Sequence, residues 1–499
     1  MTGTLFFNVY CVFLFVCAVF GVHRLWLALI ALTADRKDPV PVKKWRRLPH
    51  VTVQLPVYNE RFVVERLIRS VCSLEYPKGL LEIQVLDDST DDTTEMISKA
   101  ITSFGRQGLD IRLIHRSERA GFKAGALAEG LKSAKGELIA VFDADFIPAP
   151  DFLARTVHFF TDPQIGMVQM RWGHQNPNDS FLTRLQTVMI DGHFMVDQTA
   201  RASSNRFFNF NGSAGVWRTK AVLDAGGWQS DTLAEDLDLS YRAQLNGWKF
   251  ILLTEPSAVQ ELPRDMRSFK QQQYRWSKGS LEVARKLMWK IITSPVPAKI
   301  KIEAFFHLLG NLAYAFVVLS AFISLFFVLF PLKPGALWQY SVDLPLFVIC
   351  FGSTFLYYFV AQRKLYPNFY ARLIYFPLVF ASIAGLSLIH VKAIFEVLAG
   401  RKTPFVRTPK CGETLTLRTE GPLVKNYRMP LDPIFIFEVL TTCYLVVTVL
   451  IAMGRKMYDV APFLALLALG FLYVTVQSMS RLPLHWRFRW AQRERGQLG

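Results

Sequence analysis

Cysteine is scarce in this chain. Six are present, no C-x-x-C pair occurs, and Cys11, Cys17, Cys350 and Cys443 lie inside apolar runs, so neither a zinc site nor a disulfide framework is indicated. Any part outside those runs therefore suits a reducing compartment. Acidic residues are also few, 40 Asp and Glu against 57 Lys and Arg, for a formal charge of +17. Such an excess can mark a nucleic-acid partner, but these cations crowd beside hydrophobic runs, as the positive-inside tendency of membrane chains predicts, and no nucleic acid is expected. Apolar residues are what the chain has in abundance: 51% hydrophobic and 14% aromatic, with 41 Phe among 499 residues. Gathered into long runs, they predict an integral, multi-pass membrane protein with the lipid bilayer as a partner.

The first run, Leu5 to about Leu32, is too long for a signal-peptide core and lacks both a basic flank before it and a clear cleavage site, so residues 1–34 read as an uncleaved transmembrane anchor. Arg36, Lys37, Lys43, Lys44, Arg46 and Arg47 follow it, against no Lys or Arg before Arg24, which predicts that the chain beyond is cytoplasmic. Residues 48–280 then alternate short β-rich apolar runs with helical segments, the pattern of an α/β domain. The runs Val51 to Val57, Leu81 to Leu86, Ile111 to Ile114 and Leu138 to Phe142 end in Tyr58-Asn59-Glu60, Asp87-Asp88, His115-Arg116 and Asp143-Ala144-Asp145. Open parallel sheets bind ligands beyond the carboxyl ends of their strands, so these residues are expected in one cleft.

Residues 281–303, basic and bearing Trp289, read as an amphipathic helix at the bilayer surface. Residues 304–480 read as a C-terminal membrane region with five apolar runs, about Ala304–Leu332, Leu344–Ala361, Ala371–His390, Pro433–Met453 and Val460–Met479. The tail 481–499 carries Arg481, Arg487, Arg489, Arg493 and Arg495 and reads as cytoplasmic. Two cytoplasmic ends need an even number of crossings between them, so one run is expected to be interfacial, re-entrant or mis-bounded, with Ala371–His390 one candidate.

Several side chains carry chemistry. Asp143 and Asp145, one residue apart after a buried strand, can hold Mg²⁺ or Mn²⁺ against a diphosphate, although the same D-x-D spacing recurs at Asp236-Leu237-Asp238 and a solvated turn is the bland reading. Asp87 and Asp88 can hydrogen-bond a ribose or base, with Asp91 or Thr93 capping the following helix. Lys123, in a glycine-containing loop before a helix, suits phosphate or is simply an exposed lysine. Glu235 and Asp236 open a helix, where acids favour its dipole in any case. Arg275 can pair a diphosphate and Trp276 can stack a sugar ring; both residue types also favour headgroups.

Taken in order, Asp88, Asp143-x-Asp145, Glu235-Asp236 and Gln272-x-x-Arg275-Trp276 resemble the D, D-x-D, [T]-E-D, Q-x-x-R-W pattern of processive family-2 glycosyltransferases, the cellulose, hyaluronan and related synthases. The texture Glu235-Asp236-Leu237-Asp238-Leu239, Glu261-Leu262-Pro263 and Gln272-Gln273-Tyr274-Arg275-Trp276 looks most like their cellulose-synthase-like A and C branch, the mannan and glucan synthases. Phe210-Asn211-Gly212-Ser213 occupies the place of that family's acceptor-binding F-C-G-S, and Phe405-Val406-Arg407-Thr408-Pro409-Lys410 resembles its F-x-V-T-x-K gating loop, expected within 391–431. Asn211, Arg407 and Ala234 stand where Cys, Val and Thr are usual.

The resemblance implies a GT-A (nucleotide-diphospho-sugar transferase) domain inserted between an N-terminal transmembrane helix and a C-terminal helical membrane region, in a bacterial inner membrane or a Golgi or plasma membrane. It implies a nucleotide-sugar donor, GDP-mannose or UDP-glucose, and a growing β-glycan as acceptor. In this scheme Asp236, with Glu235, is the catalytic base, and Asp143 and Asp145 hold the Mg²⁺ or Mn²⁺. Tyr58, Glu60, Asp87, Asp88, Lys123, Arg275, Thr408 and Lys410 serve the nucleotide. Gln272, Trp276, Asn211 and Gly212 serve the acceptor. Two competing readings are a lipid acceptor of the ceramide type and a non-catalytic membrane protein that binds or transports sugar.

Overall fold

A computed structural model describes residues 2–34, 38–330, 338–408, 410, 430–458 and 460–479. The tail 481–499 and residues 411–429 of the gating-type loop lie outside the described residues. The four strands read from the sequence are present as β1 (Val51–Val57), β2 (Leu81–Asp87), β3 (Asp110–His115) and β4 (Leu138–Val141). With β5 (Phe146–Ile147), β6 (Ile165–His174), β7 (Gly215–Arg218) and β8 (Lys249–Gln260) they form one eight-stranded sheet in the order β3-β2-β1-β4-β7-β6-β8-β5. The pairs among β1 to β4 are parallel, whereas β7 runs antiparallel to β4 and β6. Tyr58, Asp88 and Asp143 therefore leave the sheet along one edge.

Burial on both faces explains this block. Val51, Val53 and Leu55 are fully buried, and so are Thr52 and Gln54 on the opposite face. The polar face is tolerated because its groups pair across strands: Thr52 donates to Glu82 at 2.5 Å and Gln54 to Gln84 at 3.0 Å. The helix covering it carries Gly130, where a Cβ would stand 2.6 Å from Gln54 Nε2, so only a glycine permits the approach.

Among the described residues six helical stretches are long and apolar enough to cross a membrane: Thr4–Thr33, Ala298–Leu329, Leu344–Leu365, Phe376–Leu398, Ile434–Gly454 and Ala461–Met479. The relevant helices are α1 (Thr2–Thr33), α2 (Phe122–Ser133), α3 (Glu235–Leu245), α4 (Met266–Thr293), α5 (Ala298–Leu309), α6 (Ala313–Leu329), α7 (Trp338–Leu365), α8 (Phe376–Gly385), α9 (Ser387–Leu398), α10 (Ile434–Gly454) and α11 (Ala461–Met479). The anchor α1 packs along α6 and α7, with Phe6 stacked on Phe326 at 4.9 Å. Helices α8 and α11 touch at Gly385 and Gly470, where a side chain on either would overlap the other's backbone.

Two expected boundaries are corrected. Residues 281–303 are not one helix: α4 runs unbroken through position 280 to Thr293, and α5 starts at Ala298. Pro295 and Pro297 cause the break, since proline has no N–H to give and disfavours helix at the residue before it. The gating-type loop does not begin at 391, because α9 continues to Leu398 and ends at Gly400, whose φ of +66° suits glycine.

Candidate active site

The cleft beyond the strand ends measures about 190 Å³. Tyr58, Glu60, Asp88, Lys123, Asp143, Asp145, Asn211, Gly212, Glu235, Asp236, Gln272, Arg275, Trp276, Thr408 and Lys410 all line it. Of the residues expected beyond the strand ends, Asn59, Asp87, His115 and Arg116 do not line it. Asp87 is fully buried; its carboxylate accepts from Thr94 Oγ1 at 2.6 Å and from the Ser89 amide at 3.0 Å, and pairs with His115 Nδ1 at 2.9 Å. It fixes the turn after β2, which corrects its assignment to the nucleotide site. Asp91 accepts from the Thr93 amide at 3.0 Å, as expected of a cap.

Asp88 does reach the cleft, with both oxygens accepting from Arg116 at 2.7 and 2.6 Å. Arg116 also donates to the carbonyls of Ala120 and Phe122, each at 3.0 Å, and so orders the loop before α2. That loop turns through left-handed Gly121 (φ +70°) and Phe122 (φ +51°), which puts Lys123 in the first turn of α2 and not before it.

The Lys123 ammonium gathers three segments: it meets Asp143 Oδ1 at 2.5 Å and Glu235 Oε1 at 3.7 Å, and donates to the Gly212 carbonyl at 2.8 Å. Burial opposes its charge, yet Asp143 and Glu235 outweigh burial and raise its pKa above the ordinary lysine value. Burial also raises the Asp143 carboxyl, against the pull of Lys123.

Asp236 opens α3 and accepts from the Leu237 amide at 2.8 Å. Burial first, and the neighbouring Glu235 second, push its carboxyl up to about 7. Gly212, with φ +84°, lies directly beneath, and a Cβ there would sit 2.9 Å from Asp236 Oδ2. Asn211 is tied back by its side-chain oxygen to His193 Nε2 at 2.7 Å and to the Asn209 and Gln198 amides, each at 3.2 Å.

The C-terminal segment closes the cleft from the far side. Lys410 meets Asp145 Oδ2 at 2.6 Å, and Arg407 holds both oxygens of Glu60 at 2.8 and 3.0 Å. Burial raises the Glu60 carboxyl to about 7 even with Arg407 opposing it. Arg275 donates to Thr408 Oγ1 at 3.0 Å, and its guanidinium lies 4.5 Å from the centre of the Phe405 ring. Burial lowers the Arg275 pKa. On the same helix, Gln272 Oε1 is buried with no hydrogen-bond partner among the described residues, and Trp276 is 41% exposed at the rim.

Among the lining residues, Arg119, Trp172 and Gln260 had no motif to announce them. Arg119 lies 3.5 Å over the Tyr58 ring, Trp172 donates from Nε1 to the Ser213 carbonyl at 3.2 Å, and Gln260 ends β8. Arg407 stood out in sequence only as a departure from a loop pattern.

A divalent ion fits the donor set. Among the described residues no three His, Cys, Asp or Glu side chains converge as a complete metal cage. Asp143 and Asp145 instead offer two carboxylates on one side of the cleft, each already matched with an ammonium. Two carboxylates completed by substrate phosphates is the usual way that Mg²⁺ is held in phosphate chemistry.

A family model described as "Glycosyltransferase like family 2" matches residues 49–279. Glucomannan 4-beta-mannosyltransferase 1 of Oryza sativa subsp. japonica is 35% identical over 395 residues, 77% of this chain and 74% of that one. Glucomannan 4-beta-mannosyltransferase 7 of Arabidopsis thaliana is 33% identical over 460 residues, 86% of this chain and 78% of that one. Among solved structures, mannosyltransferase PcManGT from Pyrobaculum calidifontis, in complex with GDP-Man and Mn²⁺, overlays with a TM-score of 0.56 and 21% identity across 79% of this chain and 100% of that chain, which speaks for the fold. A GT-A domain carried on membrane helices thus defines a membrane-bound glycosyltransferase. The chain belongs to glycosyltransferase family 2, in the cellulose-synthase-like branch of the glucomannan mannosyltransferases.

Gly212→Ala tests the packing under Asp236. The added methyl must displace the carboxylate, and a displacement near 1 Å lowers turnover by about 10²-fold. Steady-state assay beside an unfolding curve checks this, with the unfolding temperature expected to move much less than the rate.

Proposed function

We propose that this protein transfers a mannosyl group from GDP-mannose, or a glucosyl group from UDP-glucose, to the growing end of a β-linked glycan. The observation that carries the reading is that Asp145, Asp236 and Trp276 line one cleft; relatives named as glucomannan 4-beta-mannosyltransferases supply the sugar. Asp236 takes the proton from the acceptor hydroxyl as that oxygen attacks the anomeric carbon. Lys123 and Arg275 stabilise charge gathering on the departing diphosphate. Asp143 and Asp145 hold a divalent ion, which supplies further neutralisation of that leaving group when bound. Trp276 stacks on the terminal acceptor sugar, and the unpartnered Gln272 Oε1 accepts from one of its hydroxyls. A single displacement inverts the anomeric centre, so an α-linked donor yields a β-linkage.

The catalytic domain faces the cytoplasm in this reading, supported by Lys43, Lys44, Arg46 and Arg47 after the anchor. The stretch Phe376–Leu398 is the best candidate not to cross, because it divides into α8 and α9 and α9 packs along α4 of the catalytic side.

The direct test is to incubate purified protein with a panel of nucleotide sugars and digest the product with linkage-specific glycanases. An insoluble or aqueous product cut by β-mannanase is expected; label extracting into organic solvent would instead mean a lipid acceptor, and no product would end the proposal. Asp236→Asn should lower turnover by about 10²-fold or more with nucleotide binding nearly unchanged. Since the base works only as the anion, kcat/KM in the parent protein should rise with pH and level off above about 7. A profile flat from pH 5 to 8 would remove Asp236 from the role. Asp145→Ala should abolish the response of activity to added Mg²⁺ or Mn²⁺, read by titrating metal into chelator-treated protein.

A further inference from the structure

Helix α4 presents two working faces. Gln272, Arg275 and Trp276 line the cleft, while Tyr274, Lys278, Leu281 and Arg285 recur at helical spacing on the other side. On that second face Lys278 is fully buried. Its ammonium donates to the Glu396 carboxylate at 2.9 Å, to the Arg401 carbonyl at 2.8 Å and to Thr403 Oγ1 at 2.8 Å. The Tyr274 hydroxyl at 3.4 Å is a fourth, longer contact, so the three ammonium protons are more than matched. Neighbours on this face bind the same region: Tyr274 donates to Glu396, Arg285 donates to the Val397 carbonyl at 3.1 Å, and Leu281 packs on Ile394 and Val397.

These acceptors sit on the end of α9 and the root of the segment that wraps around α4 into the cleft. Beyond Thr403 come Phe405 against Arg275, Arg407 on Glu60, Thr408 on Arg275 and Lys410 on Asp145. The tether is short: the chain from Thr403 to Lys410 spans at most about 24 Å fully extended, so the position of the root limits where the tip can reach. Burying an ammonium is costly unless every proton is matched, and an apolar side chain would fill the same helix face without that cost. What an apolar residue could not do is hold the backbone at Arg401 and the hydroxyl at Thr403 in register with the helix that bears Arg275 and Trp276.

We propose that Lys278 is a positioning residue for donor retention: it touches neither substrate, and by pinning the root of the 401–410 segment to α4 it sets how Arg407, Thr408 and Lys410 close over the nucleotide. This rests on the donor site proposed above. Removing the clamp leaves the base and metal carboxylates in place, so the loss falls on donor affinity and spares the chemical step.

The test uses the full chain in detergent. Lys278→Met is expected to raise the donor KM, and the Kd for GDP in the presence of Mn²⁺, by about tenfold, the scale of hydrogen bonds to a charged group, while kcat changes by less than about threefold. Thr403→Val removes one acceptor of Lys278 and a 3.3 Å contact of Tyr274, and should weaken both by about threefold; combined with Lys278→Met it should give less than the product of the two single effects, because they share a contact. A merely structural lysine would lower kcat and the active fraction together with KM unmoved, and that result, or unchanged KM and Kd in Lys278→Met, overturns the proposal. Should Lys278→Met fail to fold, Thr403→Val decides by the same readouts. If the parent protein turns over no nucleotide sugar, the proposed function falls, while the GDP titration still judges Lys278.

Discussion

The contact on which the cleft depends is the Lys123 ammonium, shared by Asp143, Glu235 and the Gly212 carbonyl. It joins the end of β4, the glycine turn before β7 and the start of α3, three segments that no local interaction would bring together. Several carboxylates withdrawn from water repel one another and resist ionisation, as the raised Asp143, Glu60 and Asp236 carboxyls record. Lys123 offsets part of this from within the domain, and Arg407 and Lys410, which follow α9 in the chain, offset more. Catalytic domain and C-terminal region therefore share one charge balance.

Much of this was legible in the sequence. Parallel strands buried on both faces, as β1, β2 and β4 are, read as apolar runs; with the half-buried edge strand β3, all four runs that ended in polar clusters proved to be strands of the parallel block. Asp143 and Asp145 both line the cleft from the turn after β4, whereas of the adjacent Asp87 and Asp88 only Asp88 reaches it. Identity alone could not say which of the adjacent pair would face the ligand, and the choice depended on Thr94 and His115 standing within hydrogen-bond reach of Asp87.

Other features depended on tertiary partners. Arg119, Trp172 and Gln260 enter the cleft from a loop and two strands whose neighbours are distant in sequence. The break between α4 and α5 was written in Pro295 and Pro297 but was masked by the basic, Trp-bearing pattern that runs across it. The apolar run 371–390 is divided: α8 ends at Gly385, packed against Gly470, and α9 then follows α4.

Arg407 on Glu60 and Lys410 on Asp145 bring opposite charges together across one seam of the cleft. The acids are therefore never left facing one another without a counter-ion while the cleft is empty. An incoming cation and its diphosphate exchange one set of ion pairs for another, so much of the cost of drying these charges is met before any ligand arrives.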